Sequence, residues 1–214
     1  VNPDEIVATY GADTMRLYEM FLGDFEKAAP WSSQSIKGCR RFLERVWELS
    51  ERVTPGDAYS AANETAMHKT IRKVSADIEE MKFNTAIAAM MALLNQLCEN
   101  GCNRAEYAAL LTLLSPFAPH MTEELWHSMG YGRDFLSVAP WPGYDESKTV
   151  DAEIEMAVQV NGKLKSVVKL PADAGEDAAR EAALADERVA AALAGRNIVK
   201  IIVIRGKIIN IVVK

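Results

Sequence analysis

Ile154-Glu155-Met156-Ala157-Val158-Gln159-Val160-Asn161-Gly162-Lys163-Leu164-Lys165-Ser166-Val167-Val168-Lys169-Leu170 divides the chain into two kinds of structure. Ile154, Met156, Val158 and Val160 alternate with Glu155, Ala157 and Gln159, the period of a half-buried strand. Asn161-Gly162 then supplies two residues that tolerate positive φ, as a two-residue hairpin turn requires, and Leu164 to Leu170 returns. Downstream, the Ala-rich stretch Glu176 to Ala194 predicts one helix closed by Gly195, and Ile198–Ile204, Arg205-Gly206 and Lys207–Val213 predict a second hairpin. The tail is therefore a small α+β module of order ββαββ over residues 153–214. At this size it is a marginal independent folder, expected to move relative to what precedes it.

Upstream, the period changes to 3.6. Asn2-Pro3-Asp4-Glu5 has an N-cap residue, proline at the first helical position and a glutamate placed for a capping box. The chain enters structure on that cap without an initiator methionine, so further polypeptide is expected before Val1. A second helix runs from about Asp13 to Phe21. Ser32 or Ser33 caps a long third helix with apolar positions Ile36, Cys39, Phe42, Leu43, Val46, Leu49 and Val53. After Pro55-Gly56, Met67, Ile71, Val74, Ile78 and Met81 mark a fourth, and Phe83, Ile87, Met90, Met91, Leu94 and Leu97 a fifth, ended by Gly101. Tyr107–Leu114 and Thr122–Met129 complete a mainly α-helical bundle over 1–130. Residues 131–152 lack a period and read as a connector that packs Trp141 on the bundle.

No run of about eighteen apolar residues and no secretory leader is present, so a soluble, cytoplasmic protein without a membrane partner is expected. Cys39, Cys98 and Cys102 are odd in number and contain no C-x-x-C pair, against a disulfide framework or zinc knuckle and in favour of small buried thiols. Net charge is −6, but residues 1–152 hold 14 Lys and Arg against 22 Asp and Glu, whereas 153–214 hold 10 against 8. Lys163, Lys165, Lys169, Arg196, Lys200, Arg205, Lys207 and Lys214 flank the acidic stretch 173–187, on segments able to meet phosphate.

Lys37, Arg41 and Arg45 fall four residues apart on one helical stripe beside Arg40. Such a stripe can track a phosphate backbone, and arginine's planar fork suits that role; equally, Glu44, Glu48 and Glu51 can neutralise it on a solvated face. His120, Glu124 and His127 do not match H-E-x-x-H and lack a further ligand, so a metal enzyme is the weaker reading. Leu114 to Trp126 reads as a rigid elbow anchored by Phe117 and Trp126. His68 reads as a surface or boundary residue rather than a catalytic base. No nucleotide-binding glycine loop, nucleophile elbow or redox dithiol occurs.

Several stretches resemble class Ia aminoacyl-tRNA synthetases. Val1-Asn2-Pro3-Asp4-Glu5-Ile6 with Tyr10-Gly11-Ala12-Asp13-Thr14-Met15-Arg16-Leu17-Tyr18 is similar to the segment after that family's K-M-S-K-S loop; Trp31, Gly38, Arg41-Phe42-Leu43 and Arg45-Val46-Trp47 resemble its next helix. Met81-Lys82-Phe83-Asn84-Thr85-Ala86-Ile87 and Pro116-Phe117-Ala118-Pro119-His120 with Glu123-Glu124-Leu125-Trp126 are shared by leucine, isoleucine and valine enzymes. Val158-Gln159-Val160-Asn161-Gly162-Lys163, Ile202-Val203-Ile204-Arg205-Gly206-Lys207 and Asn210-Ile211-Val212-Val213-Lys214 resemble the end of the bacterial leucine enzymes.

The resemblance implies an anticodon-binding-like bundle and a C-terminal domain that contacts the outer corner of tRNA(Leu), working with a catalytic domain of the same polypeptide. It implies tRNA contacts at Lys37, Arg41, Arg45, Lys163, Lys165, Arg205 and Lys207, with no catalytic residue and no metal or cofactor in this region. ATP and Mg serve the whole ligase, whose adenylating, editing and zinc-binding parts are not among these motifs. A monomer that does not bind DNA is expected. The alternatives are the equivalent region of an isoleucine or valine enzyme, and a protein-interaction module using the apolar Ile198–Val213 hairpin as an exposed edge.

Overall fold

A computed structural model describes residues 2–23, 30–150, 153–172, 174–204 and 206–214. It forms two compact units, Val1–Thr149 and Val150–Lys214, and no helix among the described residues is long and apolar enough to cross a membrane.

The first unit is helical. Helix α1 (Pro3–Tyr10) starts where Asn2 Oδ1 accepts from the Asp4 N–H at 3.1 Å. It breaks at Gly11, whose φ of +89° disfavours any side chain, and α2 (Ala12–Phe21) follows at once. In α3 (Ser33–Leu49), Ser32 Oγ accepts from the Ser35 N–H at 3.2 Å, and Ile36, Cys39, Phe42, Leu43, Val46 and Leu49 are all buried. The helix tightens into a single 3-10 turn over Ser50–Arg52, leaving Val53 beyond its end and half-buried.

Helix α4 (Glu64–Glu79) buries Met67, Ile71 and Val74. Met81, expected as its last apolar position, instead takes φ +56° in the turn and is 63% exposed. A three-residue link, left-handed at Met81, joins α4 to α5 (Phe83–Asn100) and rotates Met81 off the stripe. α5 buries Ala86, Ile87, Met90, Leu93, Leu94 and Leu97 against α4.

Helix α6 (Arg104–Leu114) opens on a full capping box, with Asn103 Oδ1 accepting from the Glu106 N–H and Glu106 Oε2 from the Asn103 N–H. It is almost wholly buried, and Tyr107 donates its hydroxyl to Val46 O at 2.8 Å. Helix α7 (Pro119–Ser128) begins three residues before the periodic pattern shows it. Arg104 closes its far end by donating to Met129 O and Gly130 O while lying 4.3 Å over the Tyr131 ring.

Segment 131–149 is held on the helices by specific bonds. Trp141 Nε1 donates to Ser75 Oγ at 2.8 Å, Arg72 binds Glu146 and Thr149, and the Asp145 N–H donates to His68 Nδ1 at 3.0 Å. His68 is thus a buried brace, not a surface residue. Of the cysteines, Cys39 and Cys102 are buried and desolvation pushes their thiols up to about 11 and about 12, whereas Cys98 is only half-buried.

In the second unit, strands β1 (Glu153–Val160) and β2 (Lys163–Pro171) pair antiparallel around Asn161-Gly162, and β3 (Ile198–Ile204) pairs antiparallel with β4 (Ile208–Val213). The two hairpins join through a parallel β1–β4 pairing, giving the order β2-β1-β4-β3. Met156, Val158, Val160, Val168, Leu170, Ile209, Ile211 and Val213 form one apolar face with Ala179, Ala183 and Val189 of the covering helices.

Those helices are two, α8 (Glu176–Ala185) and α9 (Glu187–Leu193), where the Ala-rich pattern predicts one. Asp186 makes the break: in extended conformation, its Oδ1 accepts from the Arg188 and Val189 N–H groups and its Oδ2 from Ser166 Oγ at 2.6 Å. The Ser166 bond first, then that of Val189, holds the Asp186 carboxyl below the ordinary aspartate range. A depressed folded pKa gives a contribution present above the unfolded value and lost as pH falls through the folded one. Protection factors of the Arg188 and Val189 amides should therefore fall in acid below the usual aspartate pKa, and in Asp186→Ala at any pH. Amide exchange by NMR checks this; unchanged protection in the variant would mean that α9 stands without its cap.

Candidate nucleic-acid interface

The cationic stripe on α3 resolves into two kinds of residue. Arg40 is tied down, Nε to Glu44 at 2.7 Å and one Nη to Tyr10 O at 3.0 Å, so it staples α1 to α3. Arg45 is half-buried and donates to Asn95 Oδ1 of α5 at 2.8 Å. The side chains of Lys37 and Arg41, one turn apart on the exposed side, have no hydrogen bond or ion pair to any described residue. Two open cations and one committed arginine therefore stand where three equivalent ones were expected.

Two other charged grooves of the helical unit neutralise themselves. One of about 650 Å³ runs past Tyr10, Arg40, Glu44, Trp47 and His120, but its arginine is bonded as above and Asp13 pairs with His120 Nδ1 at 2.7 Å. Another of about 680 Å³ is lined by Lys69, Arg72, Lys73 and Lys82. There Lys73 bonds both Asp77 oxygens, Lys82 bonds Glu80, and Arg72 bonds Glu146. Neither offers a run of unopposed positive charge to an anion.

His120, Glu124 and His127 do not converge. His120 turns to Asp13, and His127 Nε2 lies 3.8 Å from Glu123 Oε2, whose carboxylate also accepts the Leu136 and Ser137 N–H groups. Among the described residues no group of three His, Cys, Asp or Glu side chains is placed to hold a metal ion.

In the second unit the expected cations separate. Lys163 pairs across the hairpin with Val160, beside Ile211 of β4, whereas Lys207 precedes Ile208, which lies level with Ala157. Four residues of strand, roughly 13 Å, thus divide the two lysines along the sheet. Arg205 lies outside the described residues. Lys163 and Lys165 instead share a cleft of about 290 Å³ with Val160, Asn161, Ala192 and Arg196. Arg196 drew attention in the sequence only as one of eight tail cations. Its placement follows from the α9–β3 link, where its N–H bonds Leu193 O at 2.9 Å after Gly195 takes φ +73°.

Residues 64–180, from α4 into α8, match the family described as the anticodon-binding domain of tRNA ligase. The whole chain is 48% identical to the leucine–tRNA ligase of Alkaliphilus oremlandii (strain OhILAs) over 215 residues, spanning 27% of that protein. It is 48% identical to that of Sorangium cellulosum (strain So ce56) over 214 residues, spanning 25%. The chain thus covers about a quarter of the length of these relatives. Among solved structures, the ternary complex of Agrobacterium radiobacter K84 agnB2 LeuRS with tRNA and LeuAMS superposes with a TM-score of 0.75 at 31% identity, covering all of this chain and 30% of that one. With more than half of its residues inside the family match, the chain belongs to the anticodon-binding domain family of tRNA ligases.

Proposed function

We propose that this chain is the tRNA-binding C-terminal region of a leucine–tRNA ligase, holding tRNA(Leu) by its sugar-phosphate exterior while a catalytic domain of the same polypeptide performs ATP- and Mg-dependent adenylation and transfer. The 48% identity of the whole chain to two leucine–tRNA ligases supports the parentage. The observation that carries the mechanical role is the pair Lys37 and Arg41: exposed, one turn apart and with no side-chain partner among the described residues. Two such cations on a rigid helix contact successive phosphates without reading bases, and fixing the tRNA body at a distance orients its acceptor end. The region supplies no catalytic residue of its own and acts in the cytoplasm as part of a monomer.

The test is binding of tRNA(Leu) by the chain across a salt series. Log affinity should fall linearly with log salt, and Lys37→Ala with Arg41→Ala should flatten the slope by about 1.4 to 1.8, two phosphate contacts' worth. Arg45→Ala should change the slope less, because that guanidinium already serves Asn95. No binding in dilute buffer ends the proposal.

A second reading has one observation behind it: β3 is an edge strand with Ile198, Val199, Ile202 and Ile204 all exposed. A protein-docking role predicts self-association or partner binding indifferent to tRNA. Light scattering over a concentration series that finds one monomeric species with and without tRNA rejects the self-association form.

A further inference from the structure

We infer that the cleft between the Asn161-Gly162 turn and the end of α9 is a single phosphodiester-binding site, with Lys163, Lys165 and Arg196 as its ligand groups. The inference rests on the RNA-binding reading above and gives it a second, distinct contact point.

The strand register builds the site. Cross-strand partners share a face, so pairing with buried Val160 turns Lys163 toward the helix-covered side at the end of the sheet. Val158 pairs with Ser166 and Gln159 with Leu164, which leaves Lys165 as the extra residue of a bulge. A bulge re-aims the side chain it carries, and Lys165 joins Lys163 on the same cleft rather than pointing away. Arg196 enters from the opposite wall, placed by the turn after α9.

The other polar groups there are already used. Asn161 Oδ1 accepts from the Val213 N–H at 2.9 Å and its Nδ2 donates to Val213 O at 3.1 Å, while the Gly162 N–H donates to Asn210 Oδ1. Asn161 thus braces the turn against β4 and leaves the cations to bind. None of the three side chains has a hydrogen bond or ion pair to any described residue, and no carboxylate is among the described residues that line the cleft. The carbonyl end of α9 is a nearby negative pole. It amounts to about half a charge for a full-length helix, is already engaged through Leu193 O, and is outweighed by three whole positive charges.

The ligand class follows from the same lining. Val160 and Ala192 supply small apolar walls, and no aromatic ring is present on which a base can stack. The cleft therefore holds a backbone phosphate and does not distinguish sequence. Lys207, at the other end of the sheet, does not contribute.

Two measurements on the full chain test it. In the tRNA salt series, Arg196→Ala with Lys163→Ala and Lys165→Ala should flatten the slope by about 0.7 to 0.9, one phosphate contact. In an NMR titration with inorganic phosphate, the Gly162, Lys163 and Asn197 amides should shift together, and should not in the triple variant. If tRNA binds and the triple variant keeps the wild-type slope, the cleft proposal is overturned while the tRNA reading stands. If wild-type chain binds no tRNA, that reading fails, and the phosphate titration alone decides the cleft: localised shifts support it, their absence overturns it. All three side chains are exposed, so the variants should fold, and an unchanged circular dichroism spectrum verifies that they do.

Discussion

Glu106→Ala should destabilise the helical unit by about 3–5 kcal/mol, the largest loss expected from any single side chain outside the apolar core. Glu106 is fully buried, and its two oxygens accept from the Ser60 N–H at 2.8 Å, the Ser60 hydroxyl at 2.7 Å and the Asn103 N–H at 2.8 Å. Truncation orphans two backbone donors and a hydroxyl at once, each costing roughly 1–3 kcal/mol where water cannot reach. The same carboxylate joins the 54–60 loop to the start of α6, so the loop loses its anchor together with the helix cap. Urea unfolding should show a lower midpoint, with Glu106→Gln, which keeps one acceptor oxygen, losing roughly half as much. A loss under about 1 kcal/mol for the alanine variant would mean that the freed donors find water and that the site is not sealed.

Asp13→Ala should cost about 2–3 kcal/mol, through a helix far from it in sequence. Residue 118, where α7 needs its N-cap, is an alanine with nothing to offer. Asp13 supplies the missing acceptor from α2: Oδ2 takes the Met121 N–H at 2.7 Å, and Oδ1 takes the His120 N–H at 3.4 Å and stands 2.7 Å from His120 Nδ1. A carboxylate there also meets the positive end of the helix, which an amide does not match in charge. Asp13→Asn should consequently recover only part of the loss. His120→Ala should cost less than about 1 kcal/mol, because that ring is mostly exposed and the backbone bonds to Asp13 survive. If Asp13→Ala unfolds at the wild-type midpoint, α7 is held by packing alone.

Both variants act where local reading of the chain stops. The Asn103–Glu106 half of the capping box is visible as a three-residue spacing, and Tyr107 to Leu114 predicts the helix behind it. That the same glutamate holds Ser60 depends on a contact 46 residues away in the chain. Likewise, Thr122 looks like the start of a helix because no capping residue precedes Pro119. The helix begins at Pro119 because Asp13 arrives from 107 positions upstream.

The candidate interface divides in the same manner. Spacing identifies Lys37, Arg41 and Arg45 as one stripe, since a 3.6-residue period is a property of the local backbone. It cannot show that Asn95 of another helix occupies Arg45 and leaves the other two open. In the tail, alternation and the Asn-Gly pair specify the first hairpin, while the parallel β1–β4 pairing sets Lys163 and Lys207 at opposite ends and brings Arg196 to the former. Asp186 was legible in principle, as a lone capping residue inside an alanine run; helix propensity summed over that run conceals it.

By itself, then, the sequence determined which segments are helices and strands, because hydrophobic period, capping residues and turn dipeptides act over a few residues. Tertiary structure alone decided which polar and charged groups are spent and which remain open, because hydrogen-bond partners brought together across tens of residues leave no signature in local spacing.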